Sequence, residues 1–148
     1  MLSRTGTGCF LSSMFNKFKV RVIYRDTDAE GVVYYANYLA WFEQGRSEFL
    51  RQAGMTLKQL KDDHNIVYVI KSAKVEYVSP AVYDDELRIE TRISKIDGIR
   101  LEFEQKAFRT ADDQALVEGF FIAVAMNADT LKPAKLPLSL KDKLKELV

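Results

Sequence analysis

Two aspartates, Asp26 and Asp28, open the stretch Tyr24-Arg25-Asp26-Thr27-Asp28-Ala29-Glu30-Gly31-Val32-Val33-Tyr34-Tyr35-Ala36-Asn37-Tyr38, which runs into an aromatic-rich segment. The stretch reads as a strand end, an acidic turn and the start of a helix. A carboxylate just ahead of a helix start lies beside backbone N–H groups that lack an intrahelical acceptor and favour negative charge. Together they offer a nucleophile or base and a place for a developing oxyanion, which suits acyl transfer. Asp28 is the first candidate for the attacking or basic group. Its plainer role is a turn or capping aspartate, since Asp suits helix starts. Asp26 reads as a structural residue that bonds turn amides. Gly31 permits positive φ or a close backbone approach. The N–H groups from Val33 through Tyr34 to Tyr35 are candidates for the oxyanion site.

Other groups carry weaker signals. Glu43 lies inside the helix, either as a second catalytic carboxylate or as an i,i+3 partner of Arg46. His64 follows Lys61-Asp62-Asp63 and reads as a solvated residue of a polar loop. As the one histidine, it leaves no two-histidine mechanism within a chain. Lys95 and Arg100 flank Asp97-Gly98, so a cationic hairpin tip is a candidate holder of phosphates, with a solvated edge as the alternative. No ligand cluster with metal spacing and no Gly-rich phosphate loop is present.

The elements that must position these groups follow from periodicity. Phe18, Val20, Val22 and Tyr24 alternate with Lys19, Arg21, Ile23 and Arg25, which predicts a strand over 17–25. Tyr38, Trp41, Phe42, Gly45, Phe49 and Ala53 form one stripe, which predicts a helix over 34–53 with Gly54 as its stop. A short helical turn is expected over 56–63. Strands are expected over 66–70, over 72–77 up to Pro80, and over 87–94. Asp97-Gly98 is a hairpin signal, with Ile99, Leu101 and Phe103 inward on the return strand. Ala115–Met126 is apolar on both faces apart from Glu118 and reads as a covered inner strand. Leu138–Val148 reads as a terminal helix. One long striped helix and roughly five antiparallel strands make an α+β domain in which a curled sheet wraps the helix.

The whole chain, 148 residues with 47% apolar content, suits one domain. Residues 1–14 read as a flexible tail and 15–148 as the domain. Patterned sequence begins just after Met14, an alternative start. A net charge of +1 makes no case for nucleic acid or a membrane surface. The single cysteine, Cys9, excludes an intrachain disulfide and points to a reducing compartment, the cytoplasm. No apolar run reaches the ~20 residues of a membrane span.

The segment Val22–Leu50 resembles the hotdog-fold acyl-CoA thioesterases, in the branch of 4-hydroxybenzoyl-CoA thioesterase and the Tol–Pal-associated enzymes. The motif is Tyr24-x-Asp26-Thr27-Asp28-x-x-Gly31-Val32-Val33-Tyr34-Tyr35-x-Asn37-Tyr38, continued by Trp41-Phe42-Glu43 and Arg46-Ser47-Glu48. Val75-Glu76-Tyr77, Tyr83-Asp84-Asp85 and Glu90-Thr91 fit it as well, so the likeness covers roughly residues 17–138. It implies a hotdog fold and hydrolysis of an acyl-CoA. It implies Asp28 as nucleophile or base, the Tyr35 N–H on the thioester carbonyl, and Tyr24 near the site. Tyr35 stands where the Tol–Pal branch often carries histidine and the 4-hydroxybenzoyl branch tyrosine, so no histidine-assisted step is implied. The likeness also implies a homo-oligomer, dimer or tetramer, with sheets joined edge to edge and sites at the interface. No metal or cofactor is implied. A hydratase or dehydratase on acyl thioesters and a non-catalytic acyl-binding module are the alternatives.

Overall fold

The computed structural model describes residues 16–148. The expectations for the tail and for Cys9 lie outside the described residues. Five strands form one antiparallel sheet: β1 (Asn16–Arg21), β2 (Ile66–Tyr77), β3 (Glu86–Ile96), β4 (Arg100–Arg109) and β5 (Gln114–Asn127), in the order β1-β3-β4-β5-β2. Among the described residues three α-helices accompany it: α1 (Asn37–Gln52), α2 (Leu57–His64) and α3 (Leu138–Lys145). This is the α+β hotdog arrangement, with α1 held against one face of the sheet.

The packing follows from the stripe. Tyr38, Trp41, Phe42, Gly45, Phe49 and Ala53 are all buried. They meet Leu87, Ile89, Ile93, Leu101, Phe103 and Phe121 from the sheet in one core. Phe42 meets Phe121 and Phe49 meets Phe103, each pair edge to face, the geometry that ring quadrupoles favour. Gly45 is required by closeness: a Cβ there would lie 2.6 Å from Thr91 Oγ1 and 2.9 Å from Gln105 Nε2. Those two side chains make a buried clasp. Gln105 Nε2 donates to Phe42 O and to Thr91 Oγ1, each at 2.8 Å, while Arg46 Nη1 donates to Gln105 Oε1 at 2.9 Å. The polar groups at this helix–sheet contact are thereby satisfied, as burial demands.

Several boundaries move from the sequence expectation. Alternation in β1 ends at Arg21, and the chain enters a 3-10 turn at Tyr24–Asp26. The cause is Asp26, whose Oδ2 accepts from Ile23 N at 2.9 Å. Helix α1 starts at Asn37 rather than Tyr34, because Val33 N and Tyr34 N bond to Ala81 O and Asp26 O instead. The runs 66–70 and 72–77 are one strand with a register shift between Ile70 and Ser72. His64 closes α2 rather than sitting in a loop; Thr56 and Gln59 form a capping box at its start and Asn65, at φ 56°, ends it. Gly54 stops α1 at φ +102°, as its position suggested. Arg92 pairs with Glu104 across the hairpin at 2.8 Å. Among the described residues, no helix is long and apolar enough to cross a membrane.

Candidate active site

Asp28 begins a tight loop that closes on itself. Its N–H donates to Val32 O and its carbonyl accepts from Gly31 N, both at 2.9 Å. Gly31 has φ +83°, a conformation that costs an L residue roughly 1–2 kcal/mol. Oδ1 of Asp28 accepts from Glu30 N at 2.9 Å and from Val32 N at 3.4 Å. Oδ2 has no hydrogen-bond partner among the described residues. One carboxylate oxygen is thus a turn acceptor, and the other is available for chemistry. The turn role weighed from the sequence is observed in Oδ1.

Residues 29–36 separate Asp28 from the first turn of α1, so the carboxylate does not sit directly at the helix start. Folding brings the two together. Short bridges Thr27–Val33 and Val32–Val82 pin the loop, and Asn37 Nδ2 donates to Asp26 O at 2.7 Å. Asp26 is a structural hub of this turn. Asp28, Val32, Val33, Tyr35, Tyr38 and Tyr77 then line one open groove of about 310 Å³, closed on its far side by residues 78–80.

Three candidate donors from the sequence reduce to one. The N–H groups of Val33 and Tyr34 are consumed by backbone acceptors. That of Tyr35 has no acceptor among the described residues. Its carbonyl is fixed by Tyr77, whose hydroxyl donates to it at 3.0 Å. Tyr35 and Tyr77 meet edge to face at 6.1 Å, and Tyr38 meets Tyr77 at 5.9 Å. The Tyr34 hydroxyl is held above the ordinary phenol range, first by its hydrogen bond with Tyr35 and, among smaller causes, by the charge of Asp28. The Tyr77 hydroxyl is raised by burial and by Tyr35. A groove that combines aromatic side chains, a carboxylate and an N–H without an acceptor among the described residues can hold a carbonyl group and polarise it.

Burial pushes the Tyr38 hydroxyl up to about 12 from 10.0, with a backbone hydrogen bond from Ala81 opposing the shift. The folded state therefore keeps a proton that the unfolded chain gives up. Its contribution to stability is whole below about pH 10 and is lost as pH rises from 10 through 12. Tyr38→Phe is expected to flatten that alkaline loss by about 2–3 kcal/mol at the upper end. Urea midpoints of the two proteins across this pH range check it; parallel curves would contradict it.

Other residues singled out in the sequence stand elsewhere. Tyr24 is 72% exposed and stacks on Tyr83 with ring centroids 3.8 Å apart, outside the groove lining. Lys95 and Arg100 sit at the β3–β4 turn, beside Ala125 and Leu136. The register places that turn at the end of the sheet holding Ile66 and Asn127, whereas Tyr77 and Val117 mark the other end, near Asp28. Arg100 is also within 3.9 Å of Glu102. Within this chain the two cations and Asp28 do not share a site. His64, at the Ile66 end, is likewise remote from the groove. The expected Glu43–Arg46 pair gives way to the Arg46–Gln105 bond, and Arg51 takes Glu48 as its i,i+3 partner. Tyr38, Tyr77 and residues 78–80 were not expected as site residues; the one signal for the last group is Pro80, three residues past the end of β2.

A family model described as the thioesterase-like superfamily matches residues 22–144. The acyl-CoA thioesterase YbgC of Haemophilus influenzae is 36% identical over 124 residues, covering 84% of this chain and 90% of that one. The acyl-CoA thioester hydrolase YbgC of Escherichia coli O157:H7 is 36% identical over 130 residues, covering 88% and 96%. A crystal structure of a probable thioesterase from Bartonella henselae aligns with TM-score 0.78 at 36% identity, covering 83% of this chain and 99% of that one. A 1,4-dihydroxy-2-naphthoyl-CoA thioesterase from Synechocystis shares the fold at TM-score 0.82 and 20% identity, covering 90% and 97%. Matched over nearly the whole described domain, the chain belongs to the thioesterase-like superfamily.

Proposed function

We propose that this protein hydrolyses the thioester of an acyl-CoA to a free acid and CoA. The observation that carries the proposal is the pairing in one groove of an Asp28 oxygen and a Tyr35 N–H that both lack partners among the described residues. The thioester carbonyl docks between them with its oxygen on the Tyr35 N–H. Asp28 attacks the carbonyl carbon directly, or takes a proton from a water that does. In either path the C–S bond breaks and CoA leaves as thiolate; in the direct path the acyl group is left on Asp28 as a mixed anhydride, which water then hydrolyses to the free acid, restoring the carboxylate. A thiolate is a good leaving group, so the step needs no strong general acid.

A second copy of the chain belongs to this proposal. Among the described residues strand β2 ends the sheet without a partner on its outer edge, and it carries exposed Val69, Ile70 and Tyr77. A long unpaired edge of this kind invites pairing with another chain. Two β2 edges joined antiparallel make a dimer, which can double to a tetramer. That pairing carries the partner's β3–β4 turn to the Asp28 end of the joined sheet. Lys95 and Arg100 then serve CoA phosphates across a subunit boundary. The lone cysteine of the sequence supports a cytoplasmic location.

Thiol release from a panel of short, long and aromatic acyl-CoAs tests the activity. The proposal expects release with free acid as co-product. Hydration of an enoyl-CoA without thiol release would favour the hydratase alternative, and binding without turnover over the whole panel would favour the binding module.

A further inference from the structure

Tyr35 supplies the candidate oxyanion donor, yet it lies in neither a strand nor a helix. Among the described residues its N–H has no acceptor, and its carbonyl has one donor, the Tyr77 hydroxyl at 3.0 Å. The plane of the peptide that carries this N–H is set locally, because Asn37 N donates to Tyr34 O at 2.9 Å. A turn bond of that kind orients the N–H within its own loop. It does not fix where the loop stands against the sheet. The Tyr77 bond does, since it reaches residue 35 from the end of β2, 42 positions along the chain. Strand β2 is a firm place to hold from. Tyr77 pairs with Val117 of β5, and its ring is braced by Tyr38 at 5.9 Å and by Tyr35 at 6.1 Å. Tyr38 is buried in the core and tied to the Ala81 backbone by a hydrogen bond. Burial and Tyr35 hold the Tyr77 hydroxyl above the ordinary phenol range, so it keeps the proton that it donates. Asp28 is held separately, by Glu30 N, Val32 N and the Val32–Val82 bridge.

We propose that Tyr77 is a positioning residue of the reaction: through its bond to the Tyr35 carbonyl it sets where the Tyr35 N–H stands relative to Asp28. The proposal rests on the thioesterase reading and adds to it a residue that acts through another. The two halves of the site hang on different supports, so loss of the Tyr77 hydroxyl loosens the donor and leaves the carboxylate in place. A ground-state carbonyl binds a displaced donor almost as well as a fixed one. The oxyanion does not, because a preorganised donor counts most where charge develops. The cost of a loosened donor therefore falls on kcat rather than on KM.

Tyr77→Phe deletes one oxygen and keeps both ring contacts. With the best substrate of the thiol-release panel, kcat is expected to fall about tenfold, less than the loss of a whole oxyanion donor, with KM within about twofold of wild type. Two inhibitors then separate positioning from packing. One is a trifluoromethyl ketone analogue of the acyl-CoA. Water adds to its carbonyl carbon with Asp28 taking the proton, or the carboxylate itself adds, and either addition leaves an oxyanion. The other is S-propyl-CoA, a thioether with no carbonyl. In Tyr77→Phe the Ki of the ketone is expected to rise about tenfold, in step with the fall in kcat, while that of the thioether stays at the wild-type value. A kcat within about twofold of wild type overturns the proposal, as does a loss in kcat/KM that lies wholly in KM. Equal loss of affinity for both inhibitors overturns it too, because that marks a deformed groove. If the wild-type protein releases no thiol, or Asp28→Asn is as active as wild type, the thioesterase reading fails and this proposal falls with it. If Asp28→Asn is inactive while Tyr77→Phe matches wild type, the positioning role alone fails.

Discussion

Asp28→Asn is expected to lower kcat for acyl-CoA hydrolysis by about 10²–10⁴-fold, the range that a positioned general base contributes. The substitution is close to isosteric. An amide oxygen can still accept from Glu30 N and Val32 N, so the loop that Asp28 organises stays closed. What disappears is the charge, and with it an oxygen able to attack a carbonyl or accept a proton from water. The loss should therefore appear in kcat with little change in melting temperature. Thiol-release kinetics and a thermal melt on the same preparation separate the two effects. A variant that kept more than half of wild-type kcat would show that Asp28 is a turn residue only.

Phe42→Ala is expected to cost about 3–5 kcal/mol, the usual penalty for truncating a buried aromatic ring. Phe42 is 0% exposed and lies three residues before Gly45, where α1 packs tightly on the sheet. Its ring packs on Phe121 at 5.6 Å, and a Cβ added at Gly119 would lie only 3.0 Å from it. Neighbours fixed this tightly cannot collapse into the space left behind. The clasp from Gln105 to Phe42 O uses the backbone, so the substitution isolates packing from hydrogen bonding. Leu39 on the same helix is 42% exposed and serves as the control, with Leu39→Ala expected to cost much less. Urea unfolding gives both values. A Phe42→Ala penalty below about 1 kcal/mol would mean that α1 is not close-packed on the sheet.

The parts of this molecule that obey a period were legible in the sequence. The α1 stripe, Tyr38 through Ala53, is buried throughout because a helix repeating every 3.6 residues must turn one face to a core. The β3–β4 hairpin was legible because Asp97 caps its own turn, accepting from Arg100 N at 2.9 Å. Boundaries were less so. Apolar alternation runs on through Val22 and Tyr24, but a side-chain bond from Asp26 to Ile23 N bends the chain away, and no period records such a bond. The loop residues Asp28 to Tyr35 showed the right types for the site. Which of their N–H groups remained unoccupied depended on acceptors such as Ala81 O, distant in sequence. Tyr77 joins the site only through the register of β2 on β5, and the same register carries Lys95 and Arg100 to the opposite end. Placement along a sheet is a long-range fact, and local patterning does not encode it.

The central claim is that a thioester carbonyl lies between Asp28 and the Tyr35 N–H. A crystal structure with a non-hydrolysable thioether or amide analogue of an acyl-CoA tests it most directly. The carbonyl-equivalent oxygen is expected within about 2.7–3.1 Å of Tyr35 N, with an Asp28 carboxylate oxygen facing the adjacent carbon. An analogue bound with that carbon out of reach of Asp28, and Tyr35 N left to solvent, would contradict it.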